Sequence, residues 1–224
     1  MFPGAELVLA CPHCAALARL ALPDDAEPFG MITWTDGWQT APALVRPPRV
    51  ARCPGCQRSF WVGEADQRGF LLPGEERPPE QAGWDAAPVL TPLDEAGVRQ
   101  ARAEGLGSFP ELELELRVLE WWRANDAFRC GDAPVGHPTS DQAVANMERM
   151  IEMTADGGED LLLFRAEAQR QLGRFDDVIE TLRGVGCSDY WPAKSRLVEL
   201  TEAGSRKLDV LFVPKWEGEA PAEP

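Results

Sequence analysis

The sequence predicts an α+β protein, with a small antiparallel β region first and an all-helical region after it. Three observations predict this. Two Cys-Pro-x-Cys stretches, CPHC at 11–14 and CPGC at 53–56, each stand between short apolar segments of strand length. The chain from 66 to 91 is dense in Pro, Gly and Glu, which marks a boundary. From about residue 92 the apolar residues recur at helical spacing.

The β region runs over 1–65. ELVLA leads into the first knuckle and LARLAL leaves it; RVAR leads into the second and SFWV leaves it. Between them, MITWTDGWQT places Asp36-Gly37 between two Trp-bearing segments, a hairpin signal. Residues 66–91 read as a linker or strap, although Phe70, Leu71, Leu72 and Trp84 argue that part of it packs. The helical region is expected over 92–208. Thr91-Pro92 with Asp94 and Glu95 opens a helix that runs to about Glu104. A long helix follows from about 111 to 129, with Leu116, Leu119 and Trp122 on one stripe. Ser140 caps the next, which lines Val144, Met147, Met150 and Ile151 on one face. Then come GEDLLLFRAEAQRQLG, ending at Gly173, RFDDVIETLRGVG, and a last helix with Pro192 in its first turn. The tail, 209–224, is expected to be disordered at its end.

The chemistry-bearing set is Cys11, Cys14, Cys53 and Cys56. Two residues between cysteines let one tight turn present both sulfurs to one metal, and two such turns complete the tetrahedron that Zn²⁺ prefers. Pro12 and Pro54 stiffen both turns at the same position. Structural zinc is the expected cofactor, closing a domain whose core is otherwise small. Iron suits the same four thiolates. A thioredoxin-like dithiol fits poorly, since it would open a helix inside a βαβ unit. His13 is read as exposed, because four thiolates already fill the shell.

These knuckles resemble those of zinc ribbons and rubredoxins. That resemblance places Gly after the second cysteine; here Ala15 and Gln57 stand there, so each turn is expected to close somewhat differently. LLLFRAEAQRQLGRFDDVIETL resembles a tetratricopeptide repeat, with Ala166 at the helix crossing, Gly173 in the turn and Phe175 as the aromatic after it. Val178 replaces the usual Ala there. RANDAFR at 123–129 echoes RAEAQRQ at 165–171, which suggests a second, more divergent copy. Together CPHCAALARL, FGMITWTDGWQTAP, RCPGCQRSFWV, EWWRANDAFR and AEAQRQLGRFDDVIETL resemble a bacterial protein type that joins a zinc-ribbon-like domain to a tetratricopeptide-like one. The resemblance implies that layout and a bacterial cytoplasmic setting, and it implies no activity.

The net charge is −15, all of it after residue 60, where acids outnumber bases. An acidic body repels phosphate backbones, so nucleic acid is not the expected partner; the weakly basic Arg46–Arg58 run is read as solvated strand ends. No 18-residue apolar stretch and no signal segment is visible, so neither a membrane span nor export is expected. Cys130 and Cys187 are expected to be buried small apolar residues. His137 lies near Asp132 and Asp141, but two histidines leave little for acid–base catalysis. Trp121 and Trp122 are expected to divide between core and interdomain packing. The expectation is a non-enzymatic, cytoplasmic protein-binding scaffold with a structural zinc. A zinc-thiolate redox sensor and a nucleic-acid-associated factor binding through the ribbon are the alternatives.

Overall fold

The computed structural model describes residues 4–23, 30–42, 46–75, 78–131 and 136–212. It is α+β. Strand β1 (Glu6–Ala10) is the centre of a three-stranded antiparallel sheet. On one side lies β2 (Leu17–Ala21), with Leu7 opposite Leu20 and Leu9 opposite Ala18. On the other lies β7 (Asp66–Leu71). A separate hairpin joins β5 (Val50–Arg52) to β6 (Ser59–Trp61). Leu7, Leu9, Leu20, Ala51 and Phe60 form one core with Cys11 and Cys53. Burying each large side chain stabilises by about 1.5–3 kcal/mol, which leaves a core this small in need of a further link.

The segment expected as a linker therefore begins as a strand. β7 is mostly exposed and carries no apolar alternation, so its period is not legible. Further on, the chain is a strap along β2. Arg19 N donates to Pro88 O at 2.8 Å, Leu90 N donates to Arg19 O at 2.7 Å, and the Arg19 guanidinium binds Ala87 O and Glu6. Trp84 lies on Gly69.

The Trp hairpin forms as expected, from β3 (Ile32–Trp34) and β4 (Gln39–Thr40), but it leaves the ribbon. Its third strand is β8 (Val210–Phe212), which comes from the segment expected as tail. The fold thus continues past 208 as a strand; the disorder expected at the end of the tail falls on 213–224, outside the described residues. At the hairpin turn Gly37 has φ +80, and a Cβ there would sit 2.9 Å from the Phe164 ring. The turn is pressed onto a helix, which only glycine allows.

Six α-helices follow among the described residues, each packed on the next: α1 (Glu95–Ala103), α2 (Pro110–Arg129), α3 (Asp141–Met153), α4 (Glu159–Gln171), α5 (Phe175–Leu182) and α6 (Trp191–Glu202). Ser140 caps α3 as expected, accepting from Ala143 N, whereas α1 opens after Thr91-Pro92, with Asp94 as its cap accepting from Gly97 N. Trp121, Met147, Met150 and Ile151 fill the space between α2 and α3. Ala166 meets Val178, Leu182 and Leu197 where α4, α5 and α6 cross. Phe175, expected to pack after the turn, stays half-exposed outside that cluster. Val50 and Trp61 of the ribbon pack against Val98, Ala101 and Leu116 of α1 and α2. No described helix is long and apolar enough to cross a membrane.

Polar groups fasten the hairpin to the helices. Glu167 and Arg170 on α4 are both fully buried and form a bidentate pair, with both contacts at 2.7 Å. Thr35 Oγ1 and Gln171 Nε2 also donate to Glu167, at 2.8 and 2.9 Å. Arg170 donates onward to Ser205 O and Lys207 O. One residue along the hairpin, the buried Asp36 carboxylate pairs with Arg129 and accepts from Asn125 Nδ2 at 2.9 Å. Trp122 Nε1 donates to Asp36 O at 2.8 Å. Asn125 and Glu167 occupy matching places in the RANDAFR and RAEAQRQ stretches. The echo between these stretches thus coincides with the docking of two successive hairpin residues, Asp36 and Thr35.

Two outcomes follow from these networks. Glu167→Ala leaves Arg170 buried without its anion and costs about 3–5 kcal/mol in denaturant unfolding, and adding Arg170→Met recovers part of that loss. Burial pushes the Asp36 carboxyl up to about 6, with Arg129 and the Trp38 N–H pulling against it. Its folded value lies above its unfolded one, so its contribution is full below about pH 4 and is lost as pH rises through about 6. Unfolding curves across that window show the wild type losing stability relative to Asp36→Asn; parallel curves would contradict the assignment.

Candidate metal centre

Each knuckle is a turn between two strands, as the sequence predicts: the first joins β1 to β2, the second β5 to β6. The two turns repeat one hydrogen-bond pattern. Cys11 N donates to Ala16 O and Ala15 N to Cys11 O, both at 2.9 Å. Cys53 N donates to Arg58 O at 2.9 Å and Gln57 N to Cys53 O at 3.0 Å. Ala15 has φ +60 and Gln57 φ +62. Both therefore take the left-handed conformation that glycine would take, and the expectation that each turn closes differently is not met. The side chain is tolerated at a cost of about 1–2 kcal/mol. Gln57 offsets part of that through Nε2, which donates to Pro54 O at 3.0 Å.

The packing of the two sheets brings the turns face to face. The ligand atoms of Cys11, Cys14, Cys53 and Cys56 all lie within 4.8 Å of one another. Cys11 Sγ is 3.9 Å from Cys56 Sγ, and Cys14 Sγ is 3.6 Å from Cys53 Sγ. A disulfide would need about 2.05 Å. A tetrahedron with metal–sulfur bonds of about 2.3 Å has edges of about 3.8 Å, so the observed spacing fits four thiolates around one ion. Four cysteines so placed could bind a metal.

The backbone is arranged around sulfur charge. His13 N donates to Cys11 Sγ at 3.4 Å, and Gly55 N and Cys56 N donate to Cys53 Sγ at 3.3 and 3.4 Å. Cys11 and Cys53 are buried, Cys56 is partly buried and Cys14 is exposed. Burial pushes the Cys53 thiol up, and the N–H groups of Cys56 and Gly55 pull it down. A bound cation adds to that pull, since coordinating thiols deprotonate. Gly55 is required by contact: a Cβ there would lie 2.8 Å from Ala16 Cβ.

His13 is exposed and lies outside the four-atom cluster. Its Nε2 is 3.3 Å from Ser59 O, so the ring of one knuckle reaches the strand that leaves the other. The remaining candidates separate. Cys130 and Cys187 are exposed, not buried as expected: Cys130 stands at the C-terminus of α2 and Cys187 just before the short turn Ser188–Tyr190. His137 has Arg206 and Arg170 as its charged neighbours; burial and these cations lower its pKa. Asp132 lies outside the described residues. Trp121 is core, and Trp122 faces the hairpin, as expected. Of the acidic runs, Glu113 pairs with Arg117 and Glu115 with Arg49, while Glu159 accepts the N–H groups of Gly186 and Cys187.

No family model matches the chain, and neither does any curated protein or solved structure.

The knuckle geometry makes a paired prediction. Ala15→Gly relieves the left-handed conformation and raises stability by roughly 0.5–1 kcal/mol, with a smaller gain for Gln57→Gly. Gly55→Ala lowers it through the Ala16 contact. Denaturant unfolding of the three variants checks the order.

Proposed function

We propose that Cys11, Cys14, Cys53 and Cys56 hold one structural zinc ion, and that the protein is a non-enzymatic interaction scaffold of the bacterial cytoplasm. The observation that carries the zinc reading is the meeting of four sulfurs within 4.8 Å of one another, two cross-knuckle pairs of them at tetrahedral-edge spacing, with backbone N–H groups aimed at Cys11 and Cys53. Iron fits the same sulfurs. Zinc is preferred because the site closes a small core. Four thiolates leave no open position for substrate, so the ion fastens and does not catalyse.

The scaffold reading rests on the helices. The α4–α5 pair, with Ala166 and Val178 at its crossing and Gly173 in its turn, supports a tetratricopeptide-like hairpin, and successive helix pairs of that kind present a surface to another protein. The net charge of −15 argues against a nucleic-acid partner. The exposure of Cys14 favours one second reading, in which oxidants reach the sulfurs and release the ion.

Metal analysis of the purified protein tests the main claim. One zinc per chain is expected, lost in Cys11→Ser and in Cys53→Ser together with the ribbon's folding. A metal-free, fully folded wild type would overturn it. Zinc loss with disulfide formation under mild peroxide, reversed by reductant, would favour the second reading.

A further inference from the structure

We propose that the cavity between the Trp hairpin, residues 46–50 and α2 binds a carboxylate carried on an apolar body no larger than a single ring. The proposal stands apart from the metal reading and does not rest on it. The cavity encloses about 180 Å³. A protein cavity of about 150 Å³ accepts benzene, so one ring fills this one. Pro47, Val50, Leu93, Leu119 and Trp122 make its apolar wall.

The other wall is cationic, in a protein of net charge −15. The Arg46 guanidinium carbon lies 4.9 Å from the Trp38 ring centroid, and that of Arg123 lies 5.1 Å from it. Trp122 closes the stack, 5.0 Å from Trp38 centre to centre. Arg46 donates to Gln39 Oε1 at 3.0 Å and pairs with no carboxylate among the described residues. Arg46 is exposed at the mouth of the cavity, and partial desolvation there lowers its pKa. Arg123 pairs with Asp126 through Nη1, but its Nε is buried and has no hydrogen-bond partner. Arg49 on the rim is already engaged by Glu115. Two guanidiniums with spare donors thus face an apolar recess.

The buried Arg123 Nε left unpaired is costly, and a carboxylate supplies an acceptor to it and an anion to Arg46 at the mouth. A single negative charge matches the single unpaired cation. A phosphate dianion would bring a second charge towards Asp126 and Glu115. A neutral ring would fill the recess and leave the donors unpaired. The carboxylate could belong to a free acid or to the end of a peptide whose last residue is aromatic.

The full-length protein is titrated with benzoate and with benzamide, and the Trp38 indole N–H signal is followed by NMR, identified by its loss in Trp38→Phe. Benzoate shifts it saturably and benzamide does not. Arg46→Met keeps an apolar stem, removes the charge, and weakens benzoate about tenfold or more. A peptide ending in Phe, free or amidated, separates the sources. Tighter binding of the free-acid peptide than of benzoate assigns a protein C-terminus, and binding of benzoate alone assigns a free acid. Equal shifts from benzoate and benzamide, no saturable shift from benzoate or the free-acid peptide, or unchanged benzoate affinity in Arg46→Met would overturn the proposal.

Discussion

The buried Glu167–Arg170 pair sets the terms for the rest of the chain. Two charges wholly out of water are tolerated only when nearly every donor and lone pair is used. Here that requires two distant pieces at once, Thr35 from the hairpin and the carbonyls of Ser205 and Lys207, with Gln171 added from the same helix. Gln171 is in turn the acceptor for Trp121 Nε1, which ties the pair to α2. With the chain at 205–207 held in place, Val210–Phe212 can pair with β3. A hairpin that lies between the two knuckles in sequence is thereby drawn away from them in space.

That displacement explains how the candidate metal centre is built. The long spacer between the knuckles is not slack, because its middle is anchored on α2 and α4 through Asp36 and Thr35. The two knuckles must then meet by packing of the β1–β2 and β5–β6 pairs, whose shared core holds Cys11 and Cys53. The second hairpin is fixed from behind by Val50 and Trp61 against α1 and α2. An ion held by both knuckles would join two small sheets, each supported on its outer side, across a core too small to do so alone.

What was legible in the sequence was what is decided locally. Both knuckles, the Asp36-Gly37 turn and the helix starts at Asp94 and Ser140 are set by residues within a few positions of one another. What was not legible depends on partners far along the chain. β7 is an exposed edge with no apolar period, so only its pairing with β1 defines it. Thr35 and Asp36 read as ordinary hairpin residues, and nothing near them announces Glu167 or Arg129. Arg46 and Arg58 read alike as solvated charges, and both are exposed, but only the first lies over the Trp38 ring beside Arg123, a neighbourhood set by distant parts of the chain. Ala15 and Gln57 show the limit in the other direction. The residue type argued for a different turn, and the knuckle's hydrogen bonds imposed the usual one.

The measurement that most directly tests the central claim is X-ray absorption at the zinc edge of the full-length protein. Four sulfur scatterers at about 2.3 Å are the predicted shell. A shell containing nitrogen or oxygen at about 2.0–2.1 Å, with His13 or water displacing a thiolate, would contradict it.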